Sequence, residues 1–310
     1  MNDSSTSWNT LQKPPFQWVR TIERILIAAR LPELRGPDVC IFSDYSGDQK
    51  ASAYEATGIL YADLYGSAEW EIRRRDVRRH FLADGRRLSF KKLGDRNRQA
   101  ALVPFLQAAN EIEGLCLVVA VRKTVERLCV DTKLAKQIAD RLAFSKIWKT
   151  HEFERMTRIT HLIGLLIGGL AKEGQNISWI SDEDSLFANE SVTQDMKQML
   201  VRFSSHYAKR NLGKLSLGTV AIDEGDRFEE DGAAVPDLVA GATCEILTRL
   251  SDASGGRLRP GIAIPYYGEF TAKTEVLRSW LAYSQSRLRK VCVVFEDLGK
   301  EGLAVFRFNM

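Results

Sequence analysis

The chain lacks the patterns that announce most familiar chemistries. Its five cysteines, Cys40, Cys116, Cys129, Cys244 and Cys292, include no pair at C-x-x-C spacing, which speaks against a zinc ribbon or a dithiol redox pair. Three of them lie in apolar strand-like runs, as reduced core thiols do. Its four histidines, His80, His151, His161 and His206, are dispersed, and no H-E-x-x-H motif occurs. There is no G-x-S-x-G elbow, no Walker loop and no G-x-G-x-x-G after a strand, which disfavours serine-hydrolase and Walker-type nucleotide chemistry. An excess of one charge is also missing. Forty-four basic residues against 40 acidic ones leave a net charge of +4, which permits a polyanionic partner without demanding one. Long apolar runs are absent too. The most apolar stretch, His161 to Ala171, is about half of the roughly 20 residues a bilayer needs, so a core helix is expected and no membrane contact. Gly164 and Gly168 within it hint at a tight helix contact. The opening "MNDSSTSWNTLQKPP" is polar, without the apolar stretch of a secretory signal, and a cytoplasmic protein is expected.

What is present is a succession of strands and helices, in a chain of 310 residues that is 45% hydrophobic, enough for one large domain with or without an appendage. Residues 1–15 read as a disordered tail. "FQWVRTIERILIAARLP" has helical periodicity, with Val19, Ile22, Leu26 and Ala29 on one face. A strand from Asp38 to Asp44 and another from about Ala51 to Tyr61 follow. Next come a basic helix ending at Gly85, a short strand "RLSFKKLGD", and a helix that Pro104 kinks or splits. "LCLVVAVRK" has the continuous apolarity of a strand buried on both faces. Helices are expected over 125–142 and 146–172, then the strand "ISWI", a helix, the strand "KLSLGTVAIDEGD", and a helix "VPDLVAGATCEILTRL" with Pro236 near its first turn. The last part, 251–310, reads as a linker, a helix and a hairpin around Gly299 and Gly302. This order describes a mixed α/β sheet flanked by helices: an antiparallel meander early, with helical crossovers later.

Three carboxylates hold comparable positions. Asp44 ends the first strand, Asp182 follows "ISWI" within the run Asp182, Glu183, Asp184, and Asp237 opens a late helix. Ligands of open α/β sheets gather outside the carboxyl ends of strands. If the two strands are parallel neighbours, Asp44 and Asp182 meet, and the helix at Asp237 can bring a third acid. Two carboxylates about 5 Å apart repel by roughly 3 kcal/mol at an effective dielectric near 20. A divalent cation relieves that repulsion, and oxygen-only ligands favour magnesium or manganese. A pair of such ions suits hydrolysis of a phosphodiester. The helix start at Asp237 would favour its ionised form. Each aspartate taken alone reads more simply as a turn residue or a helix cap, and it is the combination that points to a metal.

"FSDYSGD" followed by an aromatic-rich strand, "WISDEDS", and "VPDLVAGATCEIL" appear in the order of, and together resemble, the bacterial family catalogued as domain of unknown function 3800, over about residues 38–250. That resemblance implies an RNase H-like fold, and the domain is taken over 16–250; the helix and hairpin over 251–310 lie outside the resemblance and read as an extra C-terminal appendage. It implies a metal-dependent nuclease acting on DNA or RNA, in bacterial defence or a mobile element, with Asp44, Asp182 and Asp237 as catalytic metal ligands for Mg2+ or Mn2+. Tyr45 departs from the family, which has a second acid at that position. Glu183 or Asp184 is a candidate replacement. Lys91 and Lys92 would face a substrate phosphate, or simply form an exposed pair on an edge strand. Arg74 and Arg78, in a segment with Arg73, Arg75 and Arg79, would contact nucleic-acid phosphates, unless the segment is a solvated face ion-paired to Glu69, Glu71 and Asp76. The alternative is a catalytically impaired binding or scaffold protein. The final hairpin, with its apolar strand "VCVVF", is a candidate surface for a protein partner or a second copy of the chain.

Overall fold

Along the central strands, apolar residues alternate between two faces, and a separate set of helices covers each. The structure is a computed structural model that describes residues 8–11, 14–130, 132–144, 148–182, 190–223, 225–262 and 268–309. Seven strands form one sheet: β1 Asp38–Ser46, β2 Tyr54–Asp63, β3 Gly114–Arg122, β4 Asn176–Ser181, β5 Leu215–Thr219, β6 Leu288–Asp297 and β7 Leu303–Phe308. Their order is β5-β4-β1-β2-β3-β6-β7. The first three form an antiparallel meander. β4 runs parallel to β1, and β5 parallel to β4. β6 runs parallel to β3, and β7 turns back on β6. This is the expected mixed α/β sheet flanked by helices, with its extra C-terminal helix and hairpin. The hairpin strands continue the same sheet, and β6 pairs with β3 of its own chain.

The helices are α1 Gln17–Ala28, α2 Ala68–Phe81, α3 Arg96–Ala109, α4 Thr132–Leu142, α5 Thr150–Leu170, α6 Glu190–Tyr207, α7 Phe228–Ala253 and α8 Ala272–Ala282. Val39, Ile41, Ile59, Leu117, Val119, Ile177 and Trp179 join a core with residues of α1, α5 and α6. Cys40, Phe42, Leu60, Cys116, Val118 and Ile180 join the opposite core with residues of α2, α3, α7 and α8. The period of two in a strand is what separates these sets. Gly164 and Gly168 make the expected tight contact: a Cβ on either would lie 2.6 Å from Phe203 Cβ or 2.3 Å from Tyr207 Cβ on α6. No described helix is long and apolar enough to cross a membrane.

Several elements differ from what the sequence suggests. The described part of the expected disordered tail is packed: Trp8 and Leu11 are buried, and the Asn9 amide donates to the Gly169 carbonyl. Glu23, itself buried, accepts from both the Trp8 indole and the Leu11 amide, so two aromatic and aliphatic anchors hold a polar segment in place. The expected helix over 125–142 begins only at Thr132, because Glu154 gathers the amides of Leu128, Cys129 and Val130 and holds them out of a helix. Of the two outcomes expected for Pro104, splitting does not occur: α3 runs unbroken through it. The segment "RLSFKKLGD" is no strand: it is a loop with one 3-10 turn at Phe90–Lys92, lying over α7 instead of pairing with the sheet.

Candidate active site

Strand alternation places the first two acids. Cys40 and Phe42 face α7, so Asp44 faces it too; Ser178 and Ile180 put Asp182 on the same side of β4. The parallel register pairs Ser43 with Ser181, and the Asp182 amide donates to the Ser43 carbonyl, which sets Asp44 and Asp182 abreast. Asp44 is buried, and Asp182 is half-buried at the strand end.

The third acid arrives by a different route from the one the sequence suggested. Asp237 does not open a helix; α7 starts at Phe228, and Asp237 lies more than two turns inside it with Pro236 as an interior residue. The first-turn acids Glu229, Glu230 and Asp231 mark the true start. The expected benefit of a helix N-terminus to Asp237 is therefore lost. What brings Asp237 to the sheet is a glycine. Gly58 on β2 pairs directly with Asp44, and a Cβ on it would lie 2.4 Å from the Pro236 carbonyl oxygen. Without a side chain there, α7 settles onto β2 and sets Asp237 beside Asp44.

A loop closes the arrangement from above. The Phe90 amide donates to Asp237 Oδ2 at 2.7 Å. Arg87 Nη1 donates to Asp182 Oδ1 at 2.6 Å, and its Nη2 lies 3.7 Å from Asp44 Oδ2. Arg98 holds the loop by donating to the Arg87 carbonyl. Asp44, Asp182 and Asp237 line one cleft of about 520 Å³ with Asp48, Arg87, Lys91, Lys92, Arg155 and Tyr45. Burial, with the charges of Asp237 and Asp182 behind it, pushes the Asp44 carboxyl up to about 8. Burial also holds Asp237 above the usual carboxylate range, against the pull of the Phe90 amide and Arg87.

The donor set suits a hard divalent cation. Asp44 Oδ1 takes the Tyr45 amide, Asp182 Oδ1 takes Arg87 and Asp237 Oδ2 takes Phe90, so each acid keeps a second oxygen outside those hydrogen bonds. Oxygen-only donors of this kind fit magnesium or manganese. Glu183 and Asp184 lie outside the described residues. Asp48, which the sequence reading passed over, offers a fourth carboxylate in the cleft; its only signal was its place just beyond the Ser46-Gly47 turn. Arg87 was missed as well, because its segment read as a strand. Tyr45 points its hydroxyl along the other face of the strand, to Ser43 and Ser181, with Arg155 over its ring at 5.1 Å. It therefore displaces no acid from the α7 side.

The basic helix is not a phosphate-binding face at the positions singled out. Arg74 is fully buried and pairs with Glu71, Asp226 and Asp231. Arg78 is 11% exposed and pairs with Asp231 and Glu230. Both neutralise acids at the start of α7, and the correction follows from that: a guanidinium shut among carboxylates has no approach for a phosphate. The more exposed Arg73, Arg75 and Arg79 pair with Glu69, Glu71 and Asp76. Lys91 and Lys92, by contrast, are exposed at the rim of the acidic cleft, on the 3-10 turn instead of an edge strand. A tighter group of carboxylates, Asp223, Asp226 and Glu229, lies elsewhere. Asp223 accepts the amides of Gly225, Arg227 and Glu229, and Asp226 accepts that of Phe228. These acids cap α7, about 12 Å along the helix from Asp237 at 1.5 Å per residue.

No family model matches the chain, that of the domain of unknown function 3800 family included, and no curated protein sequence matches it. Among solved structures, a chain from the PCNA:RNase HII complex of Archaeoglobus fulgidus is similar at a TM-score of 0.31 and 16% identity. The alignment covers 81% of this chain and 93% of that one. A likeness of that size says nothing about chemistry, which rests on the cleft.

Proposed function

We propose that the chain is a divalent-metal-dependent nuclease, hydrolysing phosphodiester bonds of DNA or RNA in the cleft between β1, β4 and α7. One observation carries this reading: three aspartates from separate elements converge on the floor of a cleft whose rim holds Lys91 and Lys92. A floor of hard oxygen donors under a cationic rim suits a phosphodiester held by its charge and cut at its base. Asp44, Asp182 and Asp237 would hold magnesium or manganese, with Asp48 as a further donor. Such ions activate water and stabilise the leaving oxygen. Lys91 and Lys92 would hold the backbone phosphates as point charges. The Phe90 amide fixes the rotamer of Asp237, and the Tyr45 amide that of Asp44, so two of the acids are oriented before any ligand enters.

The cationic rim and the retained carboxylates favour catalysis over the scaffold alternative, whose main support was Tyr45. The test is direct. Labelled single- and double-stranded DNA and RNA are incubated with Mn2+ or Mg2+ and the native chain or an Asp237→Asn variant. Cleavage by the native chain that the variant loses supports the enzyme. Intact substrate in every lane, with no rise in melting temperature on adding Mn2+, returns the protein to the binding class.

A further inference from the structure

Arg87 is a cation placed among the acids that would hold a metal, and its bonding is incomplete. It makes one short hydrogen bond, to Asp182, and one long contact, to Asp44. Its Nε is buried and meets no acceptor among the described residues. Arg74 shows what a permanent brace looks like in this molecule: its Nε, Nη1 and Nη2 all reach acceptors on Glu71, Asp226 and Asp231. Leaving a buried donor unmet is costly, so the Arg87 pose is held by charge and not by complementarity.

The surrounding backbone is secured independently of that side chain. Arg86 pairs with Asp95, the Arg87 carbonyl accepts from Arg98, and the Phe90 amide is bound to Asp237. Lys273 also donates to the Phe90 carbonyl and lies 3.8 Å from the centre of its ring. Turning Arg87 away from Asp182 therefore requires side-chain torsions alone. A divalent cation held by Asp182 Oδ2 and Asp44 Oδ2 would share the latter oxygen with Arg87 and repel the guanidinium at short range.

We propose that Arg87 is the resident counter-ion of the acidic cleft, exchanged for a divalent cation as the site loads, and that its released guanidinium then binds a phosphate of the nucleic acid. This rests on the metal-dependent nuclease reading. In the unloaded protein Arg87 screens three acids that would otherwise repel one another. In the loaded protein its planar fork, 25% exposed at the cleft beside Lys91 and Lys92, finds in an incoming phosphate the bidentate acceptor it lacks now. Cation and substrate binding become coupled through one side chain: the ion releases the group that helps hold the phosphate.

The test compares the full-length native chain with Arg87→Gln and Arg87→Lys variants by calorimetric titration of Mn2+ and by thermal melting. Arg87→Gln is expected to melt lower without metal, to bind Mn2+ about tenfold more tightly, and to recover most of the lost melting temperature when loaded. Arg87→Lys, which loses the fork but keeps the charge, is expected to tighten Mn2+ binding by a smaller factor; it decides the matter if the Gln variant does not fold. Mn2+ affinity that is equal to or weaker than native in the variant overturns the proposal and makes Arg87 a brace for Asp182. No Mn2+ binding by native chain or variant overturns the metal reading itself, and this proposal with it. A phosphorothioate-linked oligodeoxynucleotide probes the second half. Mn2+ should raise its affinity for the native chain more than for Arg87→Gln, and an equal gain in both overturns the phosphate role.

Discussion

Asp44→Asn should stabilise the metal-free protein, and by an amount that grows with pH. Burial and two neighbouring acids raise the Asp44 carboxyl from 3.8 to about 8. The sign follows from which state holds the proton. Below about pH 3 the folded and unfolded chains both keep Asp44 largely protonated, and the group costs nothing. As pH rises, the unfolded chain releases the proton while the folded chain retains it, so stability falls until the folded carboxyl itself ionises near pH 8. At about 1.4 kcal/mol per pH unit, that interval corresponds to a loss on the order of 5 kcal/mol. Asparagine keeps the volume and can still accept the Tyr45 amide, but it carries no charge. Urea denaturation in the presence of a chelator, at several values between about pH 3 and pH 8, should give stabilities that start close together and separate by several kcal/mol. Saturating Mn2+ should reverse the ranking, because only the native chain keeps that ligand. Parallel curves for the two proteins would refute the claim that the cleft is an anionic pocket under strain.

Gly58→Ala forces α7 away from β2 by about 1 Å, since its Cβ would meet the Pro236 carbonyl at 2.4 Å; a loss of about 1–3 kcal/mol in denaturant melts is expected, with weaker Mn2+ binding as Asp237 withdraws from Asp44. Replacing Lys91 and Lys92 together by alanine should leave the melting temperature unchanged and weaken nucleic-acid binding, with the slope of log affinity against log salt reduced by about 1–2 in a fluorescence titration. Arg74→Leu leaves Asp231 buried with only Arg78 for company, so a loss of about 3–5 kcal/mol is expected in urea melts. Arg73→Ala, at an exposed i,i+4 pair with Glu69, should change stability by less than about 0.5 kcal/mol in the same assay, which separates the buried arginine from its surface neighbour.

Much of this architecture is local and therefore written along the chain. The period of two in "DVCIFSD" and "NISWISD" places Asp44 and Asp182 on one face of their strands, whatever surrounds them. The apolar continuity of β3 marks a strand covered on both sides, and the Gly164–Gly168 spacing marks the close contact of α5 with α6. These features depend on steric rules acting within a few residues. Lys91 and Lys92 are exposed, as the sequence suggested, but on a turn at the cleft rim and not on an edge strand: "RLSFKK" alternates like a strand, while the sheet positions beside β2 are already filled by β1 and β3.

Other features depend on contacts between residues far apart in the chain, and composition or spacing cannot reveal them. Pro236 and Asp237 look like the first turn of a helix, yet the upstream acids are paired with Arg74 and Arg78 from α2, which lets α7 begin nine residues earlier and places Asp237 mid-helix. Those pairs also explain why Arg74 and Arg78 are shut in among carboxylates. Arg87 enters the cleft only because its loop is tied to Asp237 and Arg98. Side-chain direction within an element follows from its own backbone period, whereas the partner a charge finds follows from the packing of the whole chain, because Coulomb attraction acts through space and takes no account of separation in sequence.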